Sequence, residues 1–382
     1  MKFLHTADWH VGKTLRGHSR LDEQRQVLAE IVGIAREHDV DAVLISGDVY
    51  DTSAPGSEAQ KLVNHTLLTL AKEHREVVVI AGNHDHANTF EAFRPLMKAA
   101  GIEFAGRVRA TAQGGVHTFT AKSTGEQVVV VMLPFLSRRY AYGAEELVTG
   151  SPSENAGHYD EAIRTVLRGL CSAFQPGAVN LVMAHLTCTG GVMGGGEREA
   201  QSIFEYHVPA TAFPIQAHYV ALGHLHRRQM MPASCPVHYS GAPLAVDFGE
   251  QENTSVACIV EASPGRPASV IDVPIQAGRR LRTVRGRVAE LAARAEDCGD
   301  DFLRVVVMEP TRAGLRDEVL EILPNALEIR IDPSFINART NAPTAHTGQS
   351  PRELFAAYCA QVGIADPRVS ALFDELSDQE AE

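Results

Sequence analysis

The chain has 382 residues, 45% of them apolar and 21% charged, and a formal net charge of −12. This composition excludes a disordered or fibrous protein and supplies a sizeable core. The negative charge weighs against holding a polyanion by overall charge alone. Six cysteines without a Cys-x-x-Cys pair suit a reducing compartment. No apolar run nears the ~20 residues of a membrane helix, and no signal-peptide pattern opens the chain, so a cytoplasmic protein is expected.

Phe3–Ala7 reads as a short buried strand. Leu21, Gln24, Val27, Leu28, Ile31 and Ile34 then recur at helical spacing, and Ala42–Ile45 is a second strand. Leu62, Leu67, Leu68 and Leu70 give another helical face before the strand Val77–Ala81. Val128–Leu133, Leu181–Ala184 and Tyr219–Leu222 continue the series. The alternation predicts an α/β domain over residues 1–265, with mixed sheet and helices on its faces. A break is expected near 262–278, where Ala-Ser-Pro-Gly-Arg-Pro is turn chemistry. Residues 278–335 follow as a small α+β module, with strands at Leu281–Val288, Phe302–Met308 and Leu327–Ile331 and helices at Val288–Glu296 and Leu315–Leu323.

After a polar linker, Asn337–Gly348, residues 349–382 are predicted to form a helical hairpin. Ser350-Pro351-Arg352-Glu353 is a helix start, and Asp366-Pro367 is a second one. Leu354, Phe355, Tyr358 and Val362 share one face of the first helix, and Val369, Leu372, Phe373 and Leu376 form the face of the second. Such a hairpin can fold back on the body or offer its apolar face to a partner. Charge is unevenly spread. Residues 350–382 hold seven acidic and two basic residues, whereas Arg279, Arg280, Arg282, Arg285 and Arg287 form a run with no acid among them. That run is either a solvated face or a phosphate-contacting stripe.

Five polar motifs each follow a predicted strand: Asp8-Trp9-His10, Gly47-Asp48-Val49-Tyr50-Asp51, Gly82-Asn83-His84-Asp85, His185, and Gly223-His224-Leu225-His226. Ligands gather beyond the carboxyl ends of strands in open α/β sheets, so the five belong in one cleft. Carboxylate, imidazole and amide oxygen, with no cysteine, suit manganese, iron or zinc rather than a structural zinc site. Asp48 is the natural bridging carboxylate of a two-ion centre able to activate water and clamp a phosphodiester. The run Gly190–Gly196 lacks Gly-Lys-Ser/Thr and is read as a flexible loop, not a nucleotide-binding one. Trp9, wedged between two ligands, is read as packed.

In their order these motifs resemble the calcineurin-like metallophosphoesterases. The runs Asp8-Trp9-His10-Val11-Gly12-Lys13 and Gly223-His224-Leu225-His226-Arg227-Arg228-Gln229 are similar to its bacterial DNA-processing nucleases. The resemblance implies a sandwich of mixed β-sheets flanked by helices, a DNA-binding capping domain over 278–335, and a partner-binding tail over 349–382. It implies two manganese ions, one on Asp8, His10 and His226, the other on Asn83, His185 and His224, with Asp48 shared. His84 is implied as the catalytic histidine, held by Asp85. It further implies 3′-to-5′ exonuclease action on duplex DNA and endonuclease action on single strands and hairpins. The implied partners are DNA and the coiled-coil ATPase SbcC, in a heterotetramer containing a homodimer of this chain at the nucleoid. A small-substrate phosphoesterase and a non-catalytic DNA tether are the rival readings; the module and tail speak against the first, the complete ligand set against the second.

Overall fold

A strand that is apolar on consecutive residues is covered on both faces. Ala42–Ser46 and Val179–His185 are buried at every position, and each lies inside a six-stranded sheet. The computed structural model describes residues 1–72, 74–137, 152–197 and 207–335, of 152–157 the backbone only, together with seven positions between 355 and 373.

The first sheet runs in the order Arg266–Pro274, Val256–Ser263, Lys2–Thr6, Ala42–Ser46, Glu76–Ile80, Ile102–Ala105. From Lys2–Thr6 to Ile102–Ala105 it is parallel. The second runs Gln229–Met231, Val237–Tyr239, Tyr219–Gly223, Val179–His185, Gln127–Leu133, Val116–Thr120. It is parallel in its middle four strands and antiparallel at both edges. Side chains alternate across a strand, which gives each sheet two apolar faces. Phe3, Leu44 and Val78 of the first sheet meet Val130, Leu181 and Ala221 of the second. On the far side, Leu4, Val43 and Val79 pack under the helices Leu21–Glu37, Ser57–Ala71 and Ala87–Ala99. Val131, Val182 and Val220 pack under the helix Pro152–Cys171. The result is a helix–sheet–sheet–helix sandwich with the polar motifs opening on one edge.

The six strands predicted over residues 1–265 are present, with bounds moved by at most two residues. The break near 262–278 is different. Pro264-Gly265 is the tip of a hairpin whose arms, Val256–Ser263 and Arg266–Pro274, both join the first sheet. A turn signal does not distinguish a linker from a hairpin, and the sandwich runs past residue 265.

The small module holds the strands Leu281–Gly286, Phe302–Val307 and Ala326–Ile331 and the helix Leu315–Ile322. The helix predicted over Val288–Glu296 is interrupted at Arg294, giving Val288–Ala293 and Ala295–Cys298. Leu281 and Phe302 form a core with Leu15 and Phe248 of the sandwich. Of the arginine run, Arg282 is committed to Asp301 at 2.7 Å and Arg279 lies over the Phe302 ring at 4.9 Å. Arg280, Arg285 and Arg287 are exposed.

By compactness the chain divides into Met1–Val307 with Gly314–Arg330, and Met308–Ala313 with Ile331–Glu382. In the second unit, the linker Asn337–Gly348 and most of the predicted hairpin lie outside the described residues. Phe355 stacks on Phe373 with ring centroids 4.0 Å apart. Leu372, predicted to share the face of Phe373, is 55% exposed. No helix among the described residues is long and apolar enough to cross a membrane.

Candidate metal centre

The motif loops are zipped together by backbone hydrogen bonds. Asp8 N–H donates to Gly47 O, His10 N–H to Asp48 O and Val11 N–H to Val49 O, each at 3.0 Å. Gln24, buried on the first helix, clamps the Asp8–Gly12 turn by donating to His10 O at 2.8 Å and accepting from Gly12 N–H at 3.0 Å. To leave their strands this sharply, Asp8, His10, Asp48 and His224 take positive φ values of 55°, 46°, 48° and 103°. Such backbone costs roughly 1–3 kcal/mol per non-glycine residue and persists only where the surroundings enforce it. Two glycines are required by contact. A Cβ on Gly82 would stand 2.2 Å from Asp48 Oδ1, and one on Gly47 2.2 Å from His185 Nδ1.

All seven predicted ligands converge, from both sheets. Asp8, His10 and His226 offer donor atoms within 4.8 Å of one another, as do Asp48, His185 and His224. His10 Nε2 and His226 Nε2 are 3.0 Å apart. Asn83 Oδ1 lies 2.8 Å from both His185 Nε2 and His224 Nδ1. Asp48 Oδ2 faces both groups, 3.7 Å from His10 Nε2 and 3.5 Å from His185 Nε2. Donors about 2.0–2.2 Å from a common ion cannot be more than about 4.4 Å apart, and the pair spacings of 2.8–3.7 Å fit two ions sharing Asp48. The donor set, four imidazoles, two carboxylates and an amide, fits a divalent transition metal.

The supporting contacts are specific. His185 Nδ1 donates to Ser46 O at 2.8 Å, which turns its Nε2 lone pair inward. Asp8 Oδ1 accepts His224 N–H at 2.9 Å. Asp85 was expected to hold His84. Its carboxylate instead accepts the backbone N–H groups of Gly82, Val49 and Tyr50 at 2.9, 3.2 and 3.0 Å. His84 donates its Nδ1 proton to Asp51 O at 2.6 Å, and its ring sits edge-on to His10. Adjacency in sequence misleads here because the tight turn aims the two side chains differently. Trp9 is packed, its indole N–H on Thr6 Oγ1 at 3.0 Å.

The glycine run does more than flex. Cβ atoms on Gly194 and Gly196 would fall 2.8 Å from His226 Cβ and 2.0 Å from Glu250 Oε1. Close approach to a ligand, not mobility alone, asks for glycine there. Two carboxylates beside His226, Glu197 and Glu250, carry no motif and escaped the sequence reading.

The electrostatics follow from this crowding. Burial pushes Asp85 up to about 6, with the Asp48 charge adding to it. Burial would lower His185 and His226, but Asp48 beside the first and Glu250 beside the second override it and lift each to about 9. His224, buried and next to His185, falls to about 3. A metal requires neutral imidazole, so at pH 7 an ion must displace the protons of His185 and His226. Affinity should therefore rise with pH up to about 9 and level off above it. Calorimetry in two buffers of different ionisation enthalpy checks this: about two protons released per chain at full loading is expected, and none released would contradict it.

Residues 1–228 match the calcineurin-like phosphoesterase family, and 277–363 match the family described as the type 5 capsule protein repressor C-terminal domain. The SbcD subunit of the SbcCD nuclease of Bacillus subtilis is 36% identical over 285 residues, 74% of this chain and 71% of that one. Its counterpart in Rhodobacter capsulatus is 33% identical over 313 residues, 76% of each chain. That of Escherichia coli K12 is 29% identical over 310 residues, 78% of this chain and 74% of that one.

Proposed function

Since the chain belongs to the calcineurin-like phosphoesterases, and within them to the family of SbcD nucleases, we propose that this metal-dependent nuclease works with two manganese ions and the ATPase SbcC. In this reading it shortens duplex DNA from 3′ to 5′ and cuts single strands and hairpins. The observation that carries the two-ion reading is the single Asp48 oxygen facing two groups of donors.

In the proposed assignment Asp8, His10 and His226 hold one ion, Asn83, His185 and His224 the other, and Asp48 both. Bound there, the pair would supply Lewis acidity toward phosphoryl oxygen and a water ionised near neutral pH. The protein's own part is positioning and proton transfer. His84 already commits its Nδ1 proton to the Asp51 carbonyl. A proton on its Nε2 therefore makes the ring an imidazolium, which can stabilise a negatively charged transition state and protonate the leaving oxygen. Asp85 supports this indirectly, by fixing the Gly82–Asp85 turn on which Asn83 and His84 sit.

The 278–335 module is the proposed capping, DNA-contacting domain, supported by exposed Arg280, Arg285 and Arg287. The 349–382 tail is proposed to bind SbcC, and a homodimer within a heterotetramer is the proposed assembly. For the tail, exposure selects Leu372 over Phe373, which is half-buried and stacked on Phe355. Leu372→Glu should weaken capture of purified SbcC at least ~10-fold, the effect of losing one buried anchor, with manganese-dependent nuclease rate unchanged. A fall in that rate would make the tail part of the catalytic body.

The substrate reading is tested with 5′- and 3′-labelled duplex and hairpin DNA, in manganese, magnesium, zinc and chelator. Metal-dependent nibbling from 3′ ends and hairpin opening, fastest in manganese, is the expected pattern. Turnover of a small phosphodiester with DNA left whole, SbcC present, would contradict it.

A further inference from the structure

A histidine that ligates through Nε2 is oriented by whatever its Nδ1 proton binds. His185 uses a backbone carbonyl. His226 uses a side chain from far along the chain: Nδ1 pairs with Oε1 of Glu250, a carboxylate 1% exposed. The second oxygen, Oε2, accepts Val246 N–H at 2.5 Å. A buried carboxylate is costly unless each oxygen has a donor, and here both do.

The surroundings hold this pair in place. Gly196 lies against it with no room for a Cβ: the added atom would be 2.0 Å from Glu250 Oε1 and 3.0 Å from His226 Nδ1. Glu197 accepts the backbone N–H of His226 at 2.9 Å, which fixes the main chain of the same residue. The turn carrying Glu250 is itself braced. Asp247 caps it by accepting Gly249 N–H at 2.9 Å. Phe248 is buried with Leu15, Leu281 and Phe302, and the Arg304 guanidinium lies 4.7 Å over its ring. Arg20, fully buried, donates to the Ala245 carbonyl.

We propose that Glu250 is the positioning residue of the pocket formed by Asp8, His10 and His226. It fixes the Nδ1–H tautomer of His226, so that the Nε2 lone pair faces His10 Nε2 across 3.0 Å, and its charge strengthens the imidazole as a donor to a cation. The inference rests on the ligand assignment proposed above.

The test is calorimetric titration of the full chain with manganese, for the unaltered protein, Glu250→Gln, Glu250→Asp and His226→Ala, with thermal unfolding of each before metal is added. The expected result is that Glu250→Gln weakens one of two ions by ~10–100-fold and leaves the other unchanged. Glu250→Asp, which keeps the charge on a shorter arm, should lose less, and His226→Ala should weaken the same ion. Two unaltered affinities in Glu250→Gln, with one ion lost in His226→Ala, would overturn the inference and leave the ligand assignment standing. Equal weakening of both ions would also overturn it, because orientation of one ring acts on one pocket. Two unaltered affinities in His226→Ala would mean that the assignment itself is wrong. Should Glu250→Gln not fold, Glu250→Asp decides: selective weakening of the His226 ion supports the role, and none removes it.

Discussion

Replacing His84 with alanine is expected to abolish DNA cleavage while both metal ions stay bound. The His84 backbone N–H donates to Asp48 Oδ1 at 2.8 Å, and an alanine keeps that bond. What disappears is the ring, anchored by Nδ1 on the Asp51 carbonyl and set edge-on against His10. A general acid contributes ~10²–10⁴-fold, and stabilisation of developing phosphoryl charge adds to it, so single-turnover cleavage should fall by at least ~10²-fold. Metal content is measured on the same preparation. Loss of an ion from His84→Ala would make the residue a ligand or a brace rather than the catalytic group.

Asp48→Ala is expected to empty both pockets together. One oxygen of Asp48 faces His10 and His185, and the other accepts the His84 N–H. No other carboxylate among the described residues belongs to both donor groups. The loss should exceed the ~10–100-fold that removal of a supporting partner costs, for each ion, in a manganese titration. Asp48→Asn, which keeps one oxygen and the shape, should retain weak binding. Two ions bound normally to Asp48→Ala would break the bridge assignment, and loss of one alone would give Asp48 to a single pocket.

The seven candidate ligands were legible because each ends a strand whose apolar run is itself plain, such as Ala42–Ser46 before Asp48 or Val179–His185. Where the run is short the signal fails. Gln229–Met231 and Val237–Tyr239 are three residues each, too few to show a period of two. The helix Ala87–Ala99 buries only Phe90 and Met97 and contains Pro95, so its periodicity is faint. Glu250 was invisible for another reason. It meets His226 from 24 residues away, on a turn without a motif. The Gly190–Gly196 run shows the limit of composition: glycine can mean freedom or lack of room, and only the neighbours, His226 and Glu250, tell which. Asp85 shows the limit of adjacency, since its carboxylate turns to three backbone donors instead of the next side chain.

The measurement that bears most directly on the two-ion centre is anomalous diffraction at the manganese edge from crystals of the protein soaked in manganese. Two peaks about 3.5–4 Å apart are predicted, one among Asp8, His10 and His226, the other among Asn83, His185 and His224, with Asp48 touching both. A single peak, or a second one that does not contact Asp48, would contradict it.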